Sequence, residues 1–353
     1  MTDYCVDRYF IVCTKLKILE ISDLEKYDSQ KMYKIYDEWP QIALESFEIN
    51  RKPVNFEGIE HIVFAGMGGS GAIGELFSSI LSKSNIHVSL VKGYLLPKTV
   101  DKNTLVVATS VSGNTLETLT VLDSARKTDC HLIAFSSGGK MEEYCKKYNI
   151  DFRKITKNHS PRASFSGFLY YLLRVLENLL PITTEEINKS IKELQNTRNL
   201  ISSSNLTNSN PSLKLAKWIK GIPLIYYPAG LNSAAIRFKN SLQENSKIHV
   251  ITEDVIEACH NGIVSWEKPS TVQPILLRGL DDYEKTKERW EIIKEYFDGK
   301  GIDYNEIISV EGSILSKLIN LIYLLDYTSI YYSVLSEIDP SPIYSINFVK
   351  KRL

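Results

Sequence analysis

Neither sign of charge is in surplus: 42 Lys and Arg stand against 42 Asp and Glu in 353 residues. A chain without a net field has little with which to hold a polyanion, so nucleic acid is not an expected partner. Cysteine is scarce as well. The five cysteines (5, 13, 130, 145 and 259) are odd in number, widely spaced and without a CxxC, which argues against a disulfide framework and a zinc knuckle and suits a reducing cytoplasm. No stretch approaches about 18 uninterrupted apolar residues. The short apolar run in "MTDYCVDRYFIVCTKLKILE" is broken by charges, with no small-residue cleavage site after it, so the expectation is a soluble, unexported protein.

What is present is the composition of an ordinary globular protein, 43% hydrophobic and 24% charged, at a length that suggests two domains. From Ile59 short apolar runs alternate with amphipathic stretches: "HIVFA", a helix over 72–81, "HVSLV", "TLVVATS", a helix over 114–127, "HLIAFSS" and a helix from Lys140. That rhythm predicts an α/β fold, a parallel sheet covered by helices on both faces, with ligands at the carboxyl ends of the strands. The Ser- and Asn-rich segment "NTRNLISSSNLTNSNPSLK" places a boundary at 205/206, between one lobe over 24–205 and another over 206–353, with 1–23 as an extension. Beyond it "YPAGLNSAA" can be laid over "FAGMGGSGA", a weak repeat that suggests two related lobes. The mostly apolar stretch "SILSKLINLIYLLDYTSIYYSVL" carries Ser, Lys, Asn and Asp and reads as a buried core or interface helix.

Two loops fall at the ligand edge. The first, "GMGGSGAIG" over 66–74, satisfies GxGxxG, but the acidic residue a dinucleotide site would place at the end of the next strand is missing: "HVSLV" ends at Lys92. A phosphorylated dinucleotide stays open on that test alone. The second loop, "ATSVSGNTLET", gathers Ser110, Ser112 and Thr115 around Gly113 at the mouth of a helix. Glycine lets the backbone approach a phosphate, the helix start offers free N–H groups, and hydroxyls donate without net charge. Taken alone, "SGNT" could be a helix cap. Beside a glycine-rich loop it reads as a cradle for one phosphate monoester.

At these residues the sequence resembles the sugar isomerase (SIS) domain family, whose phosphosugar loop reads S-x-S-G-x-T, and more closely the bifunctional phosphoglucose/phosphomannose isomerases of archaea and some bacteria. Seven motifs run in family order over 24–353: "GMGGSG", "GYLLP", "SVSGNTLET", "SPRASF", "FKNSLQENSK", "EACHNGIVSW" and "LLDYTSIYYSVLSEIDPSPI". Val111 stands where the family commonly has Tyr, and Cys259 where many relatives have Asn. The resemblance implies two doubly wound SIS lobes, a homodimer, sugar phosphates as substrates, and neither metal nor nucleotide cofactor. Gly68, Gly69 and Ser70 then become a wall of the sugar-phosphate site, with Ser70 as a further phosphate or hydroxyl contact beside Ser110, Ser112 and Thr115 on the phosphate.

Aldose-ketose isomerisation needs a group to open the ring, a base to carry a proton between C1 and C2, and a cation on the enediolate oxygens. The resemblance puts Glu244 of "QENSK" as that base and Arg162 of "SPRAS" as the cation. It makes His260 of "CHN" the ring opener, contributed by the neighbouring subunit, and Lys350 a lysine near the ring, with Lys351 one slip away. Without the motifs, Glu244 would read as a surface glutamate, His260 as a structural histidine and Lys350 as part of a solvated basic tail. A different class, a SIS-type sugar-phosphate sensor without catalysis, would carry a DNA-binding module ahead of Gly66. That region offers one helical stretch, "LEKYDSQKMYKIYDEWPQIALESFEI", with no helix-turn-helix and no basic surplus. An amidotransferase isomerase half would need a glutaminase with a terminal cysteine nucleophile, and neither is seen.

Overall fold

A computed structural model describes residues 18–352. Cys5, Cys13 and most of the expected N-terminal extension lie outside the described residues. Three short helices, α1 (Ile21–Tyr27), α2 (Met32–Asp37) and α3 (Trp39–Phe47), replace the one helical stretch expected there. Two local features break it. Lys31 adopts left-handed backbone ahead of α2, and Pro40, which has no N–H to offer the preceding turn, is tolerated only at the start of α3.

The first sheet is built from β1 (His61–Ala65), β2 (His87–Val91), β3 (Thr104–Ser110), β4 (His131–Ser136) and β5 (Asp151–Lys154). All pairings are parallel and the order is β2-β1-β3-β4-β5. β1 and β3 are buried along their whole length, which is why they read as unbroken apolar runs. Between them lie α4 (Gly68–Leu81), α5 (Leu116–Arg126) and α6 (Gly139–Tyr148), with α7 (Phe165–Val175), α8 (Thr184–Ile201) and α9 (Pro211–Trp218) following β5. Chain connections leave β1 and β3 in opposite directions along this order. The crevice outside their carboxyl ends is where such sheets take ligands, and both loops singled out above sit there.

The second sheet comprises β6 (Ile222–Tyr227), β7 (Ile251–Asp254), β8 (Val272–Arg278) and β9 (Asn305–Ile308), in the parallel order β7-β6-β8-β9. It repeats the first order without its fifth strand, so the weak sequence repeat is a real topological one. Its helices are α10 (Asn232–Ser241), the short α11 (Val255–Ala258) and α12 (Glu284–Lys300). The equivalent helices α4 and α10 meet: Ser79 Oγ donates to Asn232 Oδ1 at 3.2 Å, and Asn232 Nδ2 donates to Glu75 Oε2 at 3.2 Å. The other oxygen of the buried Glu75 takes the ammonium of Lys92. Lys92, which left a dinucleotide phosphate open in the sequence, is turned to a protein carboxylate.

α13 (Ile314–Leu335) runs through the middle, followed by the terminal α14 (Tyr344–Lys350). By length and composition α13 could cross a membrane, yet 89% of its most apolar window is buried inside the protein, as the reading of a core helix expects. It packs against α8, α9 and α10, and a single apolar cluster runs from Leu19, ahead of the first lobe, to Val334 at its end. The polar segment between α8 and α9 is closed by Asn210, whose Oδ1 caps α9 by accepting from Leu213 N at 3.0 Å.

Candidate active site

α4 begins at Gly68, four residues before the expected start, so Gly68, Gly69 and Ser70 form its first turn. Gly69 explains how close this turn comes to the rest of the site: a Cβ there would stand 3.0 Å from the Pro161 carbonyl oxygen, beside Arg162. Ser70 is buried and its Oγ accepts from Val111 N at 3.2 Å, tying the glycine turn to the serine loop. In that loop Ser110 Oγ and Thr115 Oγ1 lie 2.9 Å apart, Gly113 N donates to Ser110 Oγ at 3.1 Å, and Asn114 N donates to Ser112 Oγ at 3.3 Å. Thr115 occupies the N-cap position of α5, but its hydroxyl makes no capping bond to the helix. Its partner is Ser110, so capping is not the role of that side chain here. Gly113 has φ +68°, and a Cβ would fall 1.7 Å from the Gly138 carbonyl oxygen, which leaves glycine as the residue that fits.

Across the crevice α10 runs into one wide π-type turn, Leu242–Ser246, a geometry often found at functional sites. It carries Glu244 and Asn245. Arg162 is almost fully buried and each of its three nitrogens donates: Nη1 to Glu244 Oε2 at 3.1 Å, Nε to Asn245 Oδ1 at 2.6 Å, and Nη2 to the carbonyls of Pro340 at 2.8 Å and Ser341 at 3.1 Å. Two residues 82 apart in sequence are thus an ion pair. Asn245 is held in turn by its Nδ2 donating to Ser329 Oγ of α13 at 2.8 Å.

A second buried guanidinium stands behind the first. Arg237 donates from Nη2 to Asp326 Oδ2 at 2.6 Å and to the Arg162 carbonyl at 2.7 Å, and its plane lies 4.2 Å from the Phe165 ring centre. Ser241 Oγ donates to Asp326 Oδ1 at 2.6 Å. Asp326 is fully enclosed in the mostly buried helix α13, so its charge is tolerable because Arg237 and Ser241 satisfy it. Sequence reasoning missed Arg237, Asn245, Lys247 and Asp326. The one available signal was an aspartate inside a mostly apolar 23-residue stretch.

Glu244 opens onto a cavity of about 690 Å³, bounded among others by Gly68, Asn240, Lys247, Pro342 and Tyr344. That is ample for a hexose phosphate. Gly68 and Gly69 also meet Arg162, Arg237 and Glu244 in a small hollow of about 10 Å³. His260 and Lys350 are not brought there within the chain. His260 is exposed on the turn after α11, and Lys350 is exposed at the end of α14, whose first residues Tyr344, Ser345 and Ile346 line the cavity. Four residues after Ile346, Lys350 shares its helix face, whereas Lys351 follows Asn347. Among the described residues, no group of three or more His, Cys, Asp and Glu is placed to hold a metal ion.

Comparison with known proteins agrees in both lobes. Residues 56–176 match the SIS domain, and residues 208–353 match the bacterial phospho-glucose isomerase C-terminal SIS domain. A bifunctional phosphoglucose/phosphomannose isomerase from Caldicellulosiruptor bescii is 32% identical over 89% of this chain and 96% of its own length. The chain belongs to the bifunctional phosphoglucose/phosphomannose isomerase family. An Aquifex aeolicus member of that family is 30% identical over 83% of this chain and 90% of its own. The fold extends beyond the family: tagatose-6-phosphate ketose/aldose isomerase from Escherichia coli superposes with a TM-score of 0.67 at 12% identity, covering 88% of this chain and 94% of that one.

Proposed function

We propose that the protein is an aldose-ketose isomerase that interconverts fructose 6-phosphate with glucose 6-phosphate and mannose 6-phosphate through a cis-enediol, working as a cytoplasmic homodimer. The observation that carries this reading is the Arg162–Glu244 pair, 3.1 Å apart, with Glu244 bounding a sugar-sized cavity that Gly68 of the glycine turn also bounds. Family membership over nearly the whole length of the curated relatives supports the same chemistry.

In this mechanism the phosphate rests on the Ser110, Ser112 and Thr115 hydroxyls and the N–H groups of Gly68 and Gly69. His260 of a second copy protonates the ring oxygen as the C1–O5 bond breaks, and the C1 hydroxyl releases its proton to solvent, from which His260 is reprotonated, with Lys350 nearby. Glu244 then takes the proton from C2, and the electrons move to the C1 oxygen. Arg162 holds the resulting enediolate. Glu244 returns the proton to C1 while the C2 hydroxyl proton passes to the C1 oxygen, which leaves a C1 hydroxyl and a C2 ketone. Rotation about C2–C3 in the open chain presents either C2 configuration to one base, which accounts for two aldoses at one site.

Purified protein with fructose 6-phosphate, read separately for glucose 6-phosphate and mannose 6-phosphate in the presence of EDTA, should form both. Formation of glucose 6-phosphate alone would remove the second activity. Silence on both products, with sugar phosphate still bound, would favour a sensor instead.

A further inference from the structure

Lys247 ends the turn that bears Glu244 and holds left-handed backbone, φ 58°. Glycine is the usual residue in that conformation after a helical segment, because it has no Cβ to clash. Here the position keeps a long cationic side chain instead. The reversal swings Lys247 back over its own turn: Nζ donates to the carbonyls of Glu244 at 2.7 Å and Asn245 at 3.2 Å, and also to those of Asp339 at 3.1 Å and Pro340 at 3.1 Å. Three ammonium protons are shared among four oxygens from two segments far apart in sequence.

One of those oxygens is shared again. Pro340 O also accepts from Arg162 Nη2 at 2.8 Å, and Arg162 reaches back to Glu244 and Asn245. The base turn, the cation and the 339–341 loop therefore close a ring whose fourth member is Lys247. The same loop leads through Pro342 into the residues of α14 that line the cavity. Around the ammonium stand Arg162, Asp339 and Glu244, so carboxylates from both bridged segments face it along with the guanidinium.

We propose that Lys247 is a positioning residue that locks the Glu244 turn to the 339–341 loop and so holds base and cation in register for proton transfer. This rests on the isomerase reading and names a residue the proposed chemistry does not use: the ammonium is committed to carbonyls, and it acts through Glu244 and Arg162.

The test compares wild type, Lys247→Met and Lys247→Arg for kcat and KM with fructose 6-phosphate, together with amide hydrogen exchange. The methionine variant should lose about 10- to 100-fold in kcat, the scale of a misplaced catalytic group, with KM changed less than about threefold. Exchange should quicken about tenfold or more in 242–246 and 337–346 together and stay unchanged elsewhere. The arginine variant, which keeps a cation with several donors, should recover part of both. Wild-type kcat and wild-type exchange in Lys247→Met would overturn the proposal. So would a rise in KM alone, which would put the ammonium on substrate, or faster exchange throughout the chain, which would make it a general structural residue. If wild type itself fails to turn over, the isomerase reading falls, while the exchange comparison still judges the lock.

Discussion

Arg162 and Arg237 lie side by side in the interior, and each is tolerable because a carboxylate and further oxygens accept from it. Arg162 has two side chains and two carbonyls, whereas Arg237 depends on one carboxylate and one carbonyl. Removing one partner of a buried pair leaves an uncompensated charge, at a cost of about 3–5 kcal/mol. Asp326→Asn should therefore lower unfolding stability by about that amount, read as a denaturant midpoint, and reduce kcat because the Arg162 carbonyl loses its fixed donor. An unchanged midpoint would mean Arg237 finds other acceptors. Glu244→Gln should behave in the opposite way. Its partner Arg162 keeps Asn245, Pro340 and Ser341, so the fold should hold while kcat falls about 10²- to 10⁴-fold and sugar-phosphate binding, followed by calorimetry, persists. Turnover close to wild type would remove Glu244 from the base role.

Among the elements, β1 carries a titratable group at its start. His61 is buried, with Nε2 2.9 Å from Ser89 Oγ and its ring 4.8 Å from that of His87. Burial first, then the His87 charge, pushes its pKa below the usual histidine value. The folded chain thus prefers the neutral ring, while the unfolded chain binds a proton as pH drops through about 6.5. Stability from this group is present above that value and lost as pH falls towards 5. His159, lowered by burial and by Arg162, acts with the same sign. Chemical-denaturation midpoints should decline from pH 7 to pH 5 and decline less in His61→Asn. A level or rising wild-type curve would contradict this.

The same scale shows what could be read from the sequence. β1 and β3 are legible because both faces are covered, which forces an apolar run. β5 is not: "DFRK" is a polar edge strand whose pairing comes from β4 alone. Helix ends slipped where glycine was taken for loop, as at Gly68. The glycine and serine loops could be found from local chemistry, since each is a contiguous motif at a strand end. The Arg162–Glu244 pair could not, because its members belong to different lobes and came into view only through the family motifs. Arg237 and Asp326 lie 89 positions apart; Asp326 falls in a family motif without a role assigned to it and Arg237 just ahead of another, so only the packed structure joins them.

At the scale of the whole molecule, the two sheets share one apolar cluster, and α13 supplies both its centre and the polar anchors of the site. The glycine and serine loops and Arg162 belong to the first lobe and Glu244 to the second, and the Arg162–Glu244 contact joins the two. What this chain does not gather is equally specific. His260 stands exposed on the second lobe, away from the cavity that Glu244 opens onto.

That exposed imidazole sets an arithmetic for mixtures. If each pocket borrows its histidine across a twofold interface, proteins carrying only Glu244→Gln or only His260→Ala are both dead, yet co-refolded together they revive. Random pairing makes half the dimers mixed, and each mixed dimer has one pocket with both lesions and one with neither, so about a quarter of full turnover should return. No revival would assign the histidine to its own chain.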